Sequence, residues 1–91
     1  VCSRMFCFEQ GAWLEDAATG SAAGCLAAQL ARHPRQGCTL PAAIEQGVQM
    51  GRPSALAIDG TAPAEGEGDE GWVIRVGGKV VPVAAGTWLQ P

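Results

Sequence analysis

Residues 3–8 are rich in bulky side chains and read as a strand. Residues 9–16 read as a loop broken by Gly11. From Gly20 to Arg32 the chain is almost entirely Ala, Leu, Cys and Gly, with no wide polar face. That pattern predicts a helix buried nearly all round, about 20 Å long at 1.5 Å per residue. Thr19 or Ser21 is placed to cap its start, and Pro34 bounds its end. Residues 44–50 and 54–59 read as extended segments around Gly51-Arg52-Pro53, where Pro53 cannot donate to a ladder and marks a bend or an edge. Residues 60–71 are acidic and glycine-rich and predict an exposed loop. Beyond them Trp72, Ile74 and Val76 alternate with Val73 and Arg75. Gly77-Gly78 suits a two-residue primed turn, and residues 79–85 read as the returning strand, with Pro82 at or near an edge. The predicted fold class is α+β: a mixed, mostly antiparallel sheet of about five strands wrapped around one buried apolar helix, in a single domain over residues 1–91. No βαβ alternation occurs, which disfavours a doubly wound parallel sheet.

Composition sharpens this picture. A chain of 91 residues buries only roughly 60–65% of the surface its unfolded form exposes. Hydrophobic residues make up 47% and charged residues 16%, a low charged share for a small soluble monomer, so some apolar surface is expected to face a partner chain. The net charge is −3 and no Lys/Arg cluster occurs, which argues against nucleic acid. No apolar run approaches the roughly 20 residues that span a bilayer. Cys2, Cys7, Cys25 and Cys38 form no C-x-x-C pair and His33 lies far from ligand spacing, so no zinc site is expected. Cys7 and Cys25 read as small core residues, and the thiols as reduced in a cytoplasmic protein. Glu65, Glu67, Asp69 and Glu70 lack the spacing of a calcium loop and read as a solvated charge run.

The stretch with chemical content is residues 15–24. An acidic pair, Glu15-Asp16, leads into a helix opened by Thr19-Gly20-Ser21. Unpaired N–H groups at a helix start, aided by the dipole, suit an anion such as a carboxylate. Gly20 removes bulk there, Ser21 adds a hydroxyl, and Asp16 stands beside the site as a proton carrier. The plainer reading is that Asp16, Thr19 and Ser21 simply cap the helix. Glu15 and Asp16 are adjacent, so in an extended segment they point to opposite sides and are no ready-made catalytic pair.

Arg4-Met5-Phe6, then Gly11, then Glu15-Asp16-Ala17-Ala18-Thr19-Gly20-Ser21-Ala22-Ala23 resembles the R-x-F…G…E-D-P-A-T-G-S-A signature of the phenazine-biosynthesis (PhzF-like) family. Gln46-Gly47 and Met50-Gly51-Arg52-Pro53-Ser54 resemble its Q-G-x-x-M-G-R-P-S signature, and Val76-Gly77-Gly78 with Val83-Ala84-Ala85-Gly86 its closing V-x-G…V-x-x-G pattern. The resemblance implies a partial diaminopimelate epimerase-like domain, the closing part of the second of two related halves that face each other across a cleft. It implies isomerisation by proton transfer on a small carboxylate-bearing metabolite, without cofactor or metal. It assigns Asp16 and Ser21 as catalytic, and Thr19, Gly20, Ser21 and Ala22 to substrate binding. Thr19 takes the place of the cysteine used by related epimerases, which leaves no thiol mechanism there.

Two departures stand out. Ala17 replaces the usual proline. The first half, with its glutamate and G-H-P motif, is missing; His33-Pro34 follows Arg32 rather than glycine and reads as a surface cation at a helix end. Two functional hypotheses follow. One is an isomerase whose cleft forms between two copies in a homodimer or higher homo-oligomer; the other is a catalytically inactive small-anion-binding or interaction module. Trp13 reads equally as a pocket wall and as core or interface, Arg52 as a partner for a ligand carboxylate or as turn support, and Met5 and Met50 as core filling.

Overall fold

The chain crosses between two small sheets at Arg4. The computed structural model describes residues 1–34 and 37–91. Its elements run β1 (Cys2–Ser3), β2 (Met5–Glu9), β3 (Ala12–Asp16), α1 (Gly20–Arg32), β4 (Ala42–Gln46), β5 (Ser54–Thr61) and β6 (Val73–Gly77). One sheet has the order β1-β4-β5-β6 and the other is the β2-β3 pair. Only β1 and β4 pair in parallel; the other pairs are antiparallel. The class is therefore α+β with mixed, mostly antiparallel pairing, as the sequence predicts.

The expected first strand is split. Cys2 and Ser3 pair with Glu45 and Gln46, whereas Met5–Glu9 joins a hairpin with Ala12–Asp16. The segment predicted as a loop is thus largely a strand. Its turn is Gln10-Gly11, with φ of 50° and 80°; two left-handed residues give the primed turn whose twist matches a hairpin. The predicted C-terminal hairpin does not form. Neither Gly77 nor Gly78 takes a positive φ, which the primed turns require. Instead β6 pairs with β5, from Ala57↔Gly77 to Thr61↔Val73. Residues 79–91 form no strand and are exposed, including Val83 and Trp88 at 91%; Trp88 therefore joins no packed face. Further along, β4 starts earlier than predicted and stops at Gln46, because Gly47 (φ 79°) turns the chain. Two bonds close that turn, Gly51 N–H to the Val48 carbonyl at 3.1 Å and Arg52 N–H to the Gly47 carbonyl at 3.0 Å.

Helix α1 occupies the predicted residues, but this chain buries only one stripe of it. Ala23, Ala27 and Leu30, spaced i, i+4, i+7, are buried against β5 and β6. Ser21, Ala22, Cys25, Gln29 and Arg32 are exposed on the other side. Cys25 is therefore not a core residue, and Cys7 is only half-buried. Ile44 and Ile58, 2% and 1% exposed, complete the core; each full burial contributes roughly 1.5–3 kcal/mol. Met5 and Met50 are half-buried.

Two substitution sets check this packing. Ile58→Ala is expected to lower unfolding free energy by about 2–5 kcal/mol, read from urea denaturation, while Trp88→Ala in dilute solution leaves the midpoint unchanged. The left-handed glycines separate similarly. A Cβ at Gly11 meets nothing within 4 Å, whereas at Gly47 it falls 2.3 Å from the Arg52 carbonyl oxygen and 3.0 Å from that of Ala17. Gly11→Ala is expected to cost about 1–2 kcal/mol of conformational strain. Gly47→Ala is expected to cost clearly more, because backbone must move.

Candidate active site

The segment between β3 and α1 brings the candidate residues together. Strand β3 ends at Asp16 and α1 begins at Gly20. Alternation along the strand sends its two acidic side chains to different partners. Glu15 is only 11% exposed and accepts a 2.6 Å bond from Arg4 Nε, whose guanidinium also lies over the Phe6 ring at 4.9 Å. That pair fastens the two strands of the hairpin and occupies Glu15. Asp16 turns toward Thr19 instead: the Thr19 hydroxyl donates to Asp16 Oδ2 at 2.6 Å.

Thr19 holds the N-cap position with an extended backbone, but its side chain makes no capping bond. Its carbonyl accepts the Ala23 N–H at 3.1 Å. The sequence-based cap reading therefore gives way to a different role for its hydroxyl. The first-turn N–H groups of Gly20, Ser21 and Ala22 are left without a side-chain acceptor among the described residues. All three residues are exposed, while Asp16 is half-buried and Thr19 buried.

A residue that sequence reasoning gave no role holds this loop. Gln46 is 3% exposed. Its Oε1 accepts the Thr19 N–H at 3.2 Å, and its Nε2 donates to the Asp16 carbonyl and to Thr19 Oγ1, both at 2.9 Å. Next to it a Cβ at Gly47 would lie 3.0 Å from the Ala17 carbonyl oxygen, so a glycine lets this turn sit tight against the loop, and the Arg52 carbonyl oxygen at 2.3 Å excludes a side chain there. A signal for Gln46 was present: Ala42, Ile44 and Gln46 share one face of β4, and a polar residue in line with a core isoleucine calls for buried partners.

Other candidates fall elsewhere. Trp13 is 72% exposed and meets Phe8 edge-on, with centroids 5.4 Å apart, so it is not part of the core. Arg52 closes the Gly47 turn through its backbone, and its side chain is exposed. His33 caps the helix end, its N–H donating to the Gln29 carbonyl at 2.9 Å. The concavity beside the loop, about 520 Å3, touches it at Ala18 and is otherwise lined by residues 53–56, Gly78 and Lys79. No metal-holding cluster occurs among the described residues, and none of their helices is long and apolar enough to cross a membrane.

The chain is similar to named bacterial proteins. The chain is 46% identical over 85 residues to trans-2,3-dihydro-3-hydroxyanthranilate isomerase of Pseudomonas fluorescens, covering 93% of this chain and 29% of that protein. The Pseudomonas chlororaphis isomerase of the same name gives the same figures, and that of Pseudomonas aeruginosa is 45% identical over 84 residues, covering 92% and 28%. The chain thus spans less than a third of the length of these relatives. No solved structure gives a significant match. The family model described as phenazine biosynthesis-like protein matches residues 1–86, and the chain belongs to that family.

Proposed function

We propose that this chain supplies one wall of a cofactor-independent isomerase site that moves a proton on a small carboxylate-bearing metabolite. The observation that carries the reading is the loop geometry: Asp16 is held beside a helix start whose first N–H groups are free. The substrate carboxylate sits on the N–H groups of Gly20, Ser21 and Ala22, with the Ser21 hydroxyl adding a bond. Thr19, whose N–H and hydroxyl are both engaged, contributes through the loop. Asp16 takes a proton from one carbon, and a proton is returned to another, so the substrate's atoms are conserved. The relatives' name makes trans-2,3-dihydro-3-hydroxyanthranilate the first compound to test.

The opposite wall comes from a second polypeptide surface, in our reading a second copy in a homodimer. Supporting this are Phe6, Phe8, Trp13 and Leu14 on the hairpin and Val80, Val81 and Val83 on the tail, all exposed. Apolar exposure of this extent marks contact surfaces. Two Asp16 carboxylates facing each other across a two-fold axis would divide acid and base roles, since like charges favour sharing one proton. The free thiols of all four cysteines support a cytoplasmic setting. One observation favours a second reading, a carboxylate-binding module without turnover: the concavity beside the loop is lined by neither Asp16 nor Ser21.

Incubation with trans-2,3-dihydro-3-hydroxyanthranilate in heavy water, followed by proton NMR, separates the two. Turnover with deuterium entering at carbon, reduced about 100-fold or more by Asp16→Asn, is the expected result. Unchanged exchange in Asp16→Asn removes its role. Thermal stabilisation by the compound with no exchange selects the binding module. Sedimentation is expected to give twice the chain mass.

A further inference from the structure

The amide of Gln46 faces groups with fixed demands. The Thr19 N–H needs an acceptor and the Asp16 carbonyl needs a donor. Turning the amide over would set N–H against N–H and oxygen against oxygen, so its orientation is determined by its surroundings. One Nε2 hydrogen goes to the Asp16 carbonyl, and the other reaches Thr19 Oγ1. The Thr19 oxygen therefore already accepts a bond, and its single proton is aimed at Asp16 Oδ2. At 2.6 Å that contact lies in the range of a charge-assisted O–H···O bond. All of this happens where Gln46 and Thr19 are 3% and 8% exposed, so water competes little for these groups.

We propose that Gln46 is a positioning residue for Asp16. Acting through the Thr19 hydroxyl, it anchors Oδ2 and leaves Oδ1 as the oxygen that exchanges a proton with substrate. A free carboxylate turns readily about its last torsion, which is broad and two-fold. The hydroxyl bond removes that freedom, and the second Gln46 bond fixes the backbone carrying the carboxylate. Displacement of a reacting group by about 1 Å can cost on the order of 100-fold in rate, so the relay bears on kcat more than on substrate affinity. This inference rests on the proton-transfer role proposed for Asp16.

The test uses the full chain and four variants. Thr19→Ser keeps the hydroxyl, and Thr19→Val keeps the shape without it. Gln46→Glu keeps an acceptor for the Thr19 N–H but demands that the hydroxyl turn away from Asp16. Asp16→Asn reports on the chemistry itself. In the deuterium-exchange assay, Thr19→Val and Gln46→Glu are expected to lower kcat by about 10- to 100-fold with KM nearly unchanged, while Thr19→Ser stays close to the parent. Equal behaviour of Thr19→Ser and Thr19→Val, or loss appearing only in KM, overturns the inference. A second readout is independent of turnover: the solvent isotope shift of the Asp16 carboxyl carbon. It is expected in the parent and in Thr19→Ser, and lost in Thr19→Val and Gln46→Glu. Its absence from the parent overturns the relay whatever the kinetics. If Asp16→Asn exchanges as fast as the parent, the isomerase reading fails, while the isotope shift still decides whether the relay exists. If Asp16→Asn is inactive but Thr19→Val and Gln46→Glu turn over normally, the relay alone fails.

Discussion

The side-chain amide of Gln46 ties the two halves of this fold together. Its strand pairs with β1 on one side and β5 on the other, at Ser3 and Ser54. Its side chain crosses to the loop between β3 and α1. The hairpin that leaves the main sheet at Arg4 is thus brought back to it at Asp16. Each bond of this kind is worth only about 1 kcal/mol net. Removing the amide, however, would leave the Thr19 N–H buried without a partner, and that costs roughly 1–3 kcal/mol more. The same contacts that close the fold also hold the loop that carries Asp16, the carboxylate proposed as catalytic.

Everything beyond this junction is lightly covered. The core among the described residues consists of two isoleucines, one leucine and two alanines, and the helix that should be enclosed is covered on one side only. The hairpin presents aromatic side chains to solvent, and the tail beyond Gly78 presents three valines, a tryptophan and a leucine. A small chain with a thin core and large apolar exposure gains by association.

Much of this was legible in the sequence. The Ala-rich run at Gly20–Arg32, bounded by Pro34, gave the helix to the residue, and the alternation at residues 73–76 gave the last strand. Errors arose where pairing partners decide the outcome. Gln10-Gly11 resembles any loop until both residues turn left-handed and make a hairpin. Gly77-Gly78 resembles a hairpin turn, but neither glycine turns left-handed, and β6 is left as the edge of the sheet. An apolar helix surface indicates burial without saying which face is covered, so Cys25 reads as core although it is exposed. At the site, Asp16, Gly20 and Ser21 stood out because helix starts have readable chemistry. Gln46 appeared only as part of a family signature, without a role, because its role depends on contacts 27 and 30 residues away.

Amide hydrogen exchange, resolved by residue, tests the junction most directly. Within one turn of backbone, the Thr19 N–H is buried and bonded to Gln46, whereas those of Gly20, Ser21 and Ala22 have no side-chain acceptor. Thr19 should therefore exchange far more slowly than its three successors, and Gln46→Leu should erase the difference. Thr19 exchanging as fast as Gly20 in the unaltered chain would contradict the clamp, and with it the orientation assigned to Asp16.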